Sequence, residues 1–229
     1  MMKKTIMVLV FGLLLTLFIK AEKLSLTVAE KSNFSQTSRY QDVMEFLFKM
    51  KKKSNLMHIL TLTTSFEGRK IPLVVLSTQM VKNPGDMRLN NKPAILINAN
   101  IHAGEVEGKE ATLMLIRDIV NHKLDHVLDN QVILLIPIFN PDGNEKFGKN
   151  RRDNGPELAG VRYNGQHLDL NRDFLKVESP EVLALIKLFN QWDPVLFVDL
   201  HTTNGSYHRE PVTYSTQTNP NTDDTLKDY

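Results

Sequence analysis

The 229-residue sequence contains no cysteine, which excludes disulfides, cysteine-ligated zinc and lipid attachment at an N-terminal cysteine. Charge of neither sign dominates, because 28 basic and 26 acidic side chains leave a net charge of +2. No basic patch is interleaved with aromatic residues, so we expect no nucleic-acid partner. Any metal site in this chain must therefore be built from histidine, aspartate and glutamate.

The N-terminus has the pattern of a secretory signal. Lys3 and Lys4 precede an uncharged, mostly apolar stretch over residues 5–19. This stretch is shorter than the roughly 20 apolar residues that a membrane span needs. We predict a signal peptide over residues 1–21 and export to the periplasm or the medium. An uncleaved N-terminal anchor is the alternative, and without it we expect no stable membrane partner.

The rest of the chain is predicted to hold a linker and one domain. Residues 22–37 are polar and poor in aromatics, which is typical of a linker, and the domain would follow over residues 38–229. A helix is expected from Ser38 as its cap, with one apolar face formed by Tyr40, Val43, Met44, Leu47 and Met50. Residues 59–64 and 71–77 then read as a hairpin with Gly68 in its turn.

The second half of the sequence predicts an α/β fold. Apolar runs at residues 94–97, 132–138 and 195–198 lack alternation, so both faces of these strands should be covered. Helical patterns lie between them at residues 106–120 and 180–192. Strands that alternate with helices indicate a three-layer α/β/α arrangement around a mixed, largely parallel central sheet.

Two histidines, His102 and His201, each follow an apolar strand. Ligands bind outside the carboxyl ends of the strands in such sheets, so the two imidazoles would converge if their strands are neighbours. Glu105 lies three residues after His102 and would point the same way. Two nitrogens and a carboxylate, with a fourth position open, form a catalytic zinc set. The simpler alternative is a pair of polar loops.

Two further motifs bear on this choice. Residues 140–143 (N-P-D-G) form a turn after the strand at 132–138. Residues 169–173 (D-L-N-R-D) place an arginine beside an amide, and an arginine fork binds a carboxylate through two parallel hydrogen bonds. Taken alone, this second motif is typical of a surface ion pair. His122 and His126 could also chelate a metal, but no strand brings a third ligand to them.

The motifs H-A-G-E, N-P-D-G, D-L-N-R-D and D-L-H-T occur in this order, after S-F-E-G-R-K-I-P at residues 65–72. Together they resemble the carboxypeptidase A-like family of zinc metallocarboxypeptidases, as a bacterial-type exported member, over residues 40–214. The resemblance implies one Zn²⁺ held by His102, Glu105 and His201. It also implies that Asn171 and Arg172 grip the terminal carboxylate of a peptide or protein substrate.

The resemblance assigns further roles with different clarity. Asp169 would orient the first zinc histidine, and either Arg151 or Arg152 would polarise the scissile carbonyl. The family's general-base glutamate has no match in the chain, because the single glutamate after His201, Glu210, lies too close to it. Glu107 and Glu110 are expected to face away. We therefore expect the N-terminal portion of a carboxypeptidase domain, without the last strands and helices and with impaired activity.

Two other functions stay open at this point. One is a non-catalytic zinc- or peptide-binding remnant that kept the ligands and lost the base. The other is a zinc amidohydrolase acting on cell-wall peptides or N-acyl amino acids, which also present a terminal carboxylate to Arg172.

Overall fold

The computed structural model describes residues 25–150, 152, 155–202, 209–215 and 223. The predicted signal peptide lies outside these residues. In the part of the chain that is described, no helix is long and apolar enough to cross a bilayer.

Six α-helices and seven strands make up the described fold, with two 3-10 turns at Asp125–Leu128 and Leu170–Arg172. The helices are α1 (Val28–Lys31), α2 (Tyr40–Lys51), α3 (Pro84–Leu89), α4 (Val106–Val120), α5 (Pro141–Glu145) and α6 (Pro180–Trp192). The strands are β1 (Met57–Thr64), β2 (Lys70–Leu76), β3 (Ala94–Ala99), β4 (Val132–Ile136), β5 (Gly148–Lys149), β6 (Leu158–Ala159) and β7 (Leu196–Leu200).

The central sheet is mixed, as expected, with the strand order β1-β2-β4-β3-β7, but it is not largely parallel because two of its four pairings are antiparallel. Strand β3 is parallel to both of its neighbours, β4 and β7. The hairpin of β1 and β2 joins the other side of β4 in antiparallel fashion. Its turn requires Gly68, which has φ 87° and donates its N–H to the Ser65 carbonyl. Parallel pairing is therefore confined to the half of the sheet that carries the histidines.

Helices cover both faces of this sheet and give the expected three layers. Helix α6 packs on one face, where Leu134 and Ile136 of β4 meet Val182 and Trp192. Helices α2 and α4 pack on the other face, against the alternate residues of β4 and β2. Strand β4 is buried on both faces, which is why its sequence shows no alternation.

The edge strand β7 departs from the expectation that both of its faces are covered. Val195 is 72% exposed and Leu196 is 50% exposed. Among the described residues, β7 pairs with β3 alone. The apolar run at 195–198 therefore correctly predicts a strand but not its burial.

The segment predicted as a linker packs against the domain over residues 25–37. Thr27 caps α1 in a reciprocal capping box with Glu30. Both carboxylate oxygens of Glu30 lie 2.6 Å from Arg117 Nη1 on α4. Polar contacts hold this segment, so its shortage of apolar residues is a poor guide to its packing.

The start of α2 also differs from the prediction. Arg39, not Ser38, is its N-cap residue. The Ser38 N–H and hydroxyl instead donate to the buried carboxylate of Glu110, at 2.6 and 3.1 Å. A partner distant in sequence has displaced the local capping interaction.

Candidate metal centre

The sheet brings His102 and His201 to one edge. Strands β3 and β7 are parallel neighbours with Asn98 opposite Asp199, so the loop after β3 and the residue after β7 meet at their carboxyl ends. Glu105 is the N-cap residue of α4 and closes the same loop, with its N–H donating to the His102 carbonyl. The side chains of His102, Glu105 and His201, from two distant parts of the sequence, therefore form one cluster.

Both imidazoles direct the same ring nitrogen at Glu105. His102 Nδ1 lies 2.8 Å from Glu105 Oε1, and His201 Nδ1 lies 3.0 Å from Glu105 Oε2. One ligand atom from each of the three residues falls within 4.8 Å of the others. His102 and Glu105 are buried, whereas His201 is on the open side. The cluster is tight enough for a single ion and open enough for a further ligand.

A carboxylate stands behind each imidazole. His102 Nε2 lies 3.2 Å from Asp169 Oδ1, and His201 Nε2 lies 2.8 Å from Asp199 Oδ2. Such contacts would keep the proton on Nε2 if a metal replaced the proton that each Nδ1 shares with Glu105. Two imidazole nitrogens and one carboxylate, each histidine backed by an acid, fit the donor set of catalytic zinc.

The electrostatics favour a charged Glu105. Burial alone would raise its pKa, but hydrogen bonds from His102, His201 and the Thr202 N–H hold the pKa well below its usual range. The Thr202 N–H donates to Glu105 Oε2 at 2.7 Å. Hydrogen bonds to Asp199 and Glu105 raise the pKa of His201 to about 9. Metal binding must therefore displace a proton from His201.

Two arginines reach this cluster. Arg152 Nη2 donates to Glu105 Oε1 at 2.8 Å. Arg162 Nε donates to Asp169 Oδ2 at 2.7 Å, and its Nη1 lies 3.4 Å from His102 Nδ1. Burial alone would raise the pKa of Asp169, but its bonds to Arg162 and His102 hold that pKa below its usual value.

Comparison with known proteins agrees with this geometry, since residues 43–229 match the zinc carboxypeptidase family, Peptidase_M14. The chain belongs to this family. Carboxypeptidase 2 of Trichophyton rubrum is 30% identical over 141 residues, which are 60% of this chain and 23% of that protein. Human carboxypeptidase Z is 32% identical over 116 residues, 48% of this chain and 17% of that protein. The chain thus spans about a quarter or less of the length of these curated relatives.

Solved carboxypeptidases share the fold at low sequence identity. A metallo-carboxypeptidase from Burkholderia cenocepacia superposes with a TM-score of 0.58 at 20% identity, over 73% of this chain and 42% of that one. One from Pseudomonas aeruginosa, in complex with (2-guanidinoethylmercapto)succinic acid, gives 0.58 at 21% identity over 75% and 42%. These structures support the zinc carboxypeptidase-like fold of the chain.

The remaining residues carried over from the family lie at different distances from the cluster. Asn171 and Arg172 form the 3-10 turn after Asp169, whose side chain accepts the Asn171 N–H at 3.1 Å. Arg172 is exposed, and its Nη1 donates to the Asn171 carbonyl at 3.0 Å. Arg151 lies outside the described residues. The structure therefore brings Asp169 and Arg152 to the three ligands, whereas Arg172 is exposed at the surface.

Arg162 is a residue of the candidate site that the sequence reasoning missed. The sequence offered a signal, because Arg162 lies between the N-P-D-G turn and Asp169, in the stretch that leads to D-L-N-R. A large open cavity of about 990 Å³ adjoins the cluster. Arg152, Arg162, Gly104 and Tyr163 are among its lining residues. Both arginines thus line this cavity and also contact side chains of the three-ligand cluster.

The acidic residues outside the ligand set divide into two groups. Glu107 was expected to face away, but its Oε2 accepts the Thr202 hydroxyl at 2.6 Å, beside His201. Glu110 does face away and accepts from Thr37 and Ser38. The two residues are three positions apart on α4, so their different directions follow from their different partners, Thr202 for Glu107 and the residues before α2 for Glu110.

The alternative histidine pair gains no support from its surroundings. His122 Nδ1 lies 2.6 Å from Asp125 Oδ2 in an exposed pair after α4. Within the described residues, the three-ligand group is His102, Glu105 and His201, and neither His122 nor His126 belongs to it.

Proposed function

We propose that this chain binds one Zn²⁺ through His102, Glu105 and His201 and serves in hydrolysis of the C-terminal peptide bond of peptides or proteins. The inward-facing Nδ1 atoms around one carboxylate carry the proposal. When bound, zinc supplies a Lewis acid and a water that is acidic enough to act as a nucleophile near neutral pH. Membership of the zinc carboxypeptidase family supports this assignment.

The arginines at the cluster would stabilise negative charge that develops on the substrate. Arg152 and Arg162 both line the cavity and both contact side chains of the ligand group. A guanidinium fixed in such a position stabilises an oxyanion more than it stabilises the neutral carbonyl. We therefore add Arg162 to Arg152 and Arg151 as a candidate for carbonyl polarisation.

Asn171 and Arg172 are proposed to hold the terminal carboxylate of the substrate. The position of their turn, directly after Asp169, supports this role because Asp169 is fixed by both His102 and Arg162. If the Arg172 guanidinium binds the terminal carboxylate of the substrate, the peptide bond that is cleaved is the last one of the substrate chain.

We propose that turnover by this chain is slow, because we find no match to the family's general-base glutamate. Glu210 is exposed and close to Arg209, with the two side chains 3.6 Å apart. Loss of general acid–base assistance costs roughly 10²–10⁴-fold in rate. We also propose export, from Lys3, Lys4 and the uncharged residues 5–19.

Zinc binding is the first test. His102→Ala and His201→Ala should each abolish tight zinc binding in competition with a chromophoric chelator, since each removes one of three ligands. His122→Ala, which changes a histidine in the exposed pair with Asp125, should bind zinc like the wild type. Loss of zinc in the His122 variant, with retention in the other two, would place the site elsewhere.

Turnover separates the remaining functions. An N-blocked dipeptide with a free C-terminal carboxylate should be cleaved slowly and only with zinc bound, and the matching C-terminal amide should be a poorer substrate. Arg172→Ala should reduce this preference for the carboxylate. Zinc binding without any cleavage would favour a binding module. Preferential cleavage of N-acyl amino acids or cell-wall peptides would favour an amidohydrolase.

A further inference from the structure

The two histidines of the cluster are supported in different ways. The carboxylate behind His102, Asp169, is paired with a cation, Arg162, at 2.7 Å. The carboxylate behind His201, Asp199, instead accepts from a neutral amide, Asn98 Nδ2, at 3.0 Å. Asn98 and Asp199 face each other in register on β3 and β7. Among the described residues, the carboxylate behind His201 therefore has a neutral amide as its neighbour where the one behind His102 has an arginine.

We propose that Asp199, itself held by Asn98, is a positioning residue for His201 in zinc binding. This inference rests on the proposed zinc site and adds two residues to it. Asp199 Oδ2 accepts from His201 Nε2 at 2.8 Å, which fixes the imidazole with Nδ1 towards Glu105. Side chains two residues apart lie on one side of an extended chain, so Asp199 reaches the ring from the end of β7.

The burial of Asn98 supports a role beyond packing. Its side chain is fully buried, and within the described residues its Oδ1 has no hydrogen-bond partner. An unsatisfied buried acceptor costs free energy that an aliphatic side chain at this position would avoid. The contact that the amide does make is the one to Asp199. The Asn98 amide therefore lowers the stability of the fold while it fixes the orientation of the Asp199 carboxylate.

This arrangement has a chemical consequence for the ligand. A carboxylate that accepts the Nε2–H of a metal-bound histidine increases the electron density at the coordinating nitrogen, and it prevents ring rotation. His201 needs this support more than His102 does, because it lies on the open side of the cluster while His102 is buried. Asp199 and Asn98 thus act through His201 and do not touch substrate.

The test measures zinc affinity of the full 229-residue chain and needs no enzymatic activity. Asp199→Ala should weaken zinc binding by about 10–100-fold in chelator competition, the usual effect of removing such a partner. Asn98→Ala should weaken it less, because Asp199 remains. The double variant should bind zinc no more weakly than Asp199→Ala alone, since Asn98 acts only through Asp199. When Co²⁺ replaces zinc, its visible absorption should shift in the Asp199→Ala variant, because the His201 imidazole is no longer held in one orientation.

A matched control comes from the exposed pair. Asp125→Ala removes an aspartate that lies 2.6 Å from a different histidine, His122, and should leave zinc affinity and the cobalt spectrum unchanged. Asp199→Asn keeps the shape and loses the charge, so it replaces Asp199→Ala if thermal unfolding of the metal-free protein shows that the alanine variant does not fold.

The outcomes are distinguishable. Zinc affinity within twofold of wild type in the Asp199 variants would overturn the inference and leave the metal site intact. Additive losses in the double variant would likewise overturn it, because they would show that Asn98 acts independently. A folded wild-type chain that binds no zinc would overturn the proposed function and this inference together.

Discussion

Lys109 predicts a pH dependence of stability whose size follows from its burial. Its side chain on α4 is fully buried, and its amine donates to the Ser38 carbonyl and to Asn144 Oδ1, each at 2.6 Å. Burial lowers the pKa of this amine from 10.5 to about 8, although Glu110 opposes the shift. This difference between folded and unfolded chain corresponds to about 3 kcal/mol.

The sign follows from proton binding. Below pH 8 both states carry the proton, and above pH 10.5 both have lost it. Between these values the unfolded chain binds more protons than the native one, so stability rises with pH. About 2 kcal/mol of this gain should appear between pH 7.0 and pH 9.5. Lys109→Met cannot show it, because methionine does not titrate.

The assay is urea unfolding of wild type and Lys109→Met at both pH values, followed by fluorescence of the single tryptophan, the buried Trp192. The free energy of unfolding should shift in favour of wild type by about 2 kcal/mol at the higher pH. Lys92→Met is the control variant, because it also removes two lysine hydrogen bonds, to Thr78 and Leu128, but at a partly exposed site. An equal difference between wild type and Lys109→Met at both pH values would refute the reasoning.

Two further changes probe the helix that carries Glu105. Gly108→Ala should destabilise the protein in urea, although alanine usually favours a helix, because a Cβ there would lie 2.8 Å from Leu200 Cβ. Gly148→Ala is the control, since open space surrounds a Cβ at that position. A Gly108→Ala variant that is more stable than wild type would contradict this packing. Glu30→Gln should cost about 1–3 kcal/mol at pH 7, because it weakens charged bonds to the buried Arg117. Those bonds lower the pKa of Glu30 although burial opposes the shift. The difference in free energy of unfolding between wild type and Glu30→Gln should therefore shrink as the pH falls below 4.5. A difference that grows in acid would contradict this prediction.

Local signals predicted the parts of the fold that depend on local physics. Helix α6 begins where Ser179 and Pro180 indicate, and the Ser179 hydroxyl accepts the Val182 N–H. The unbroken apolar run of β4 correctly indicated a strand covered on both faces. In both cases the residues that determine the structure are neighbours in the sequence.

The misjudged elements depend on partners far away in the sequence. Ser38 fails to cap α2 because Glu110 binds it from α4. The predicted linker is held by an ion pair between Glu30 and Arg117. Arg162 likewise contacts His102, which is 60 residues away in the sequence, and that contact cannot be read from a single sequence.

The exposed edge strand β7 has a consequence for the timing of metal exchange. Among the described residues it forms strand pairing with β3 alone, and His201 follows directly after it. His102 and Glu105 are close in sequence and can be ready early, but the third ligand arrives only after β7 has docked. An ion bound to all three would fasten the edge strand to the loop after β3. Zinc release would then be gated by fraying of β7, and amide hydrogens of this strand should exchange more slowly when zinc is bound.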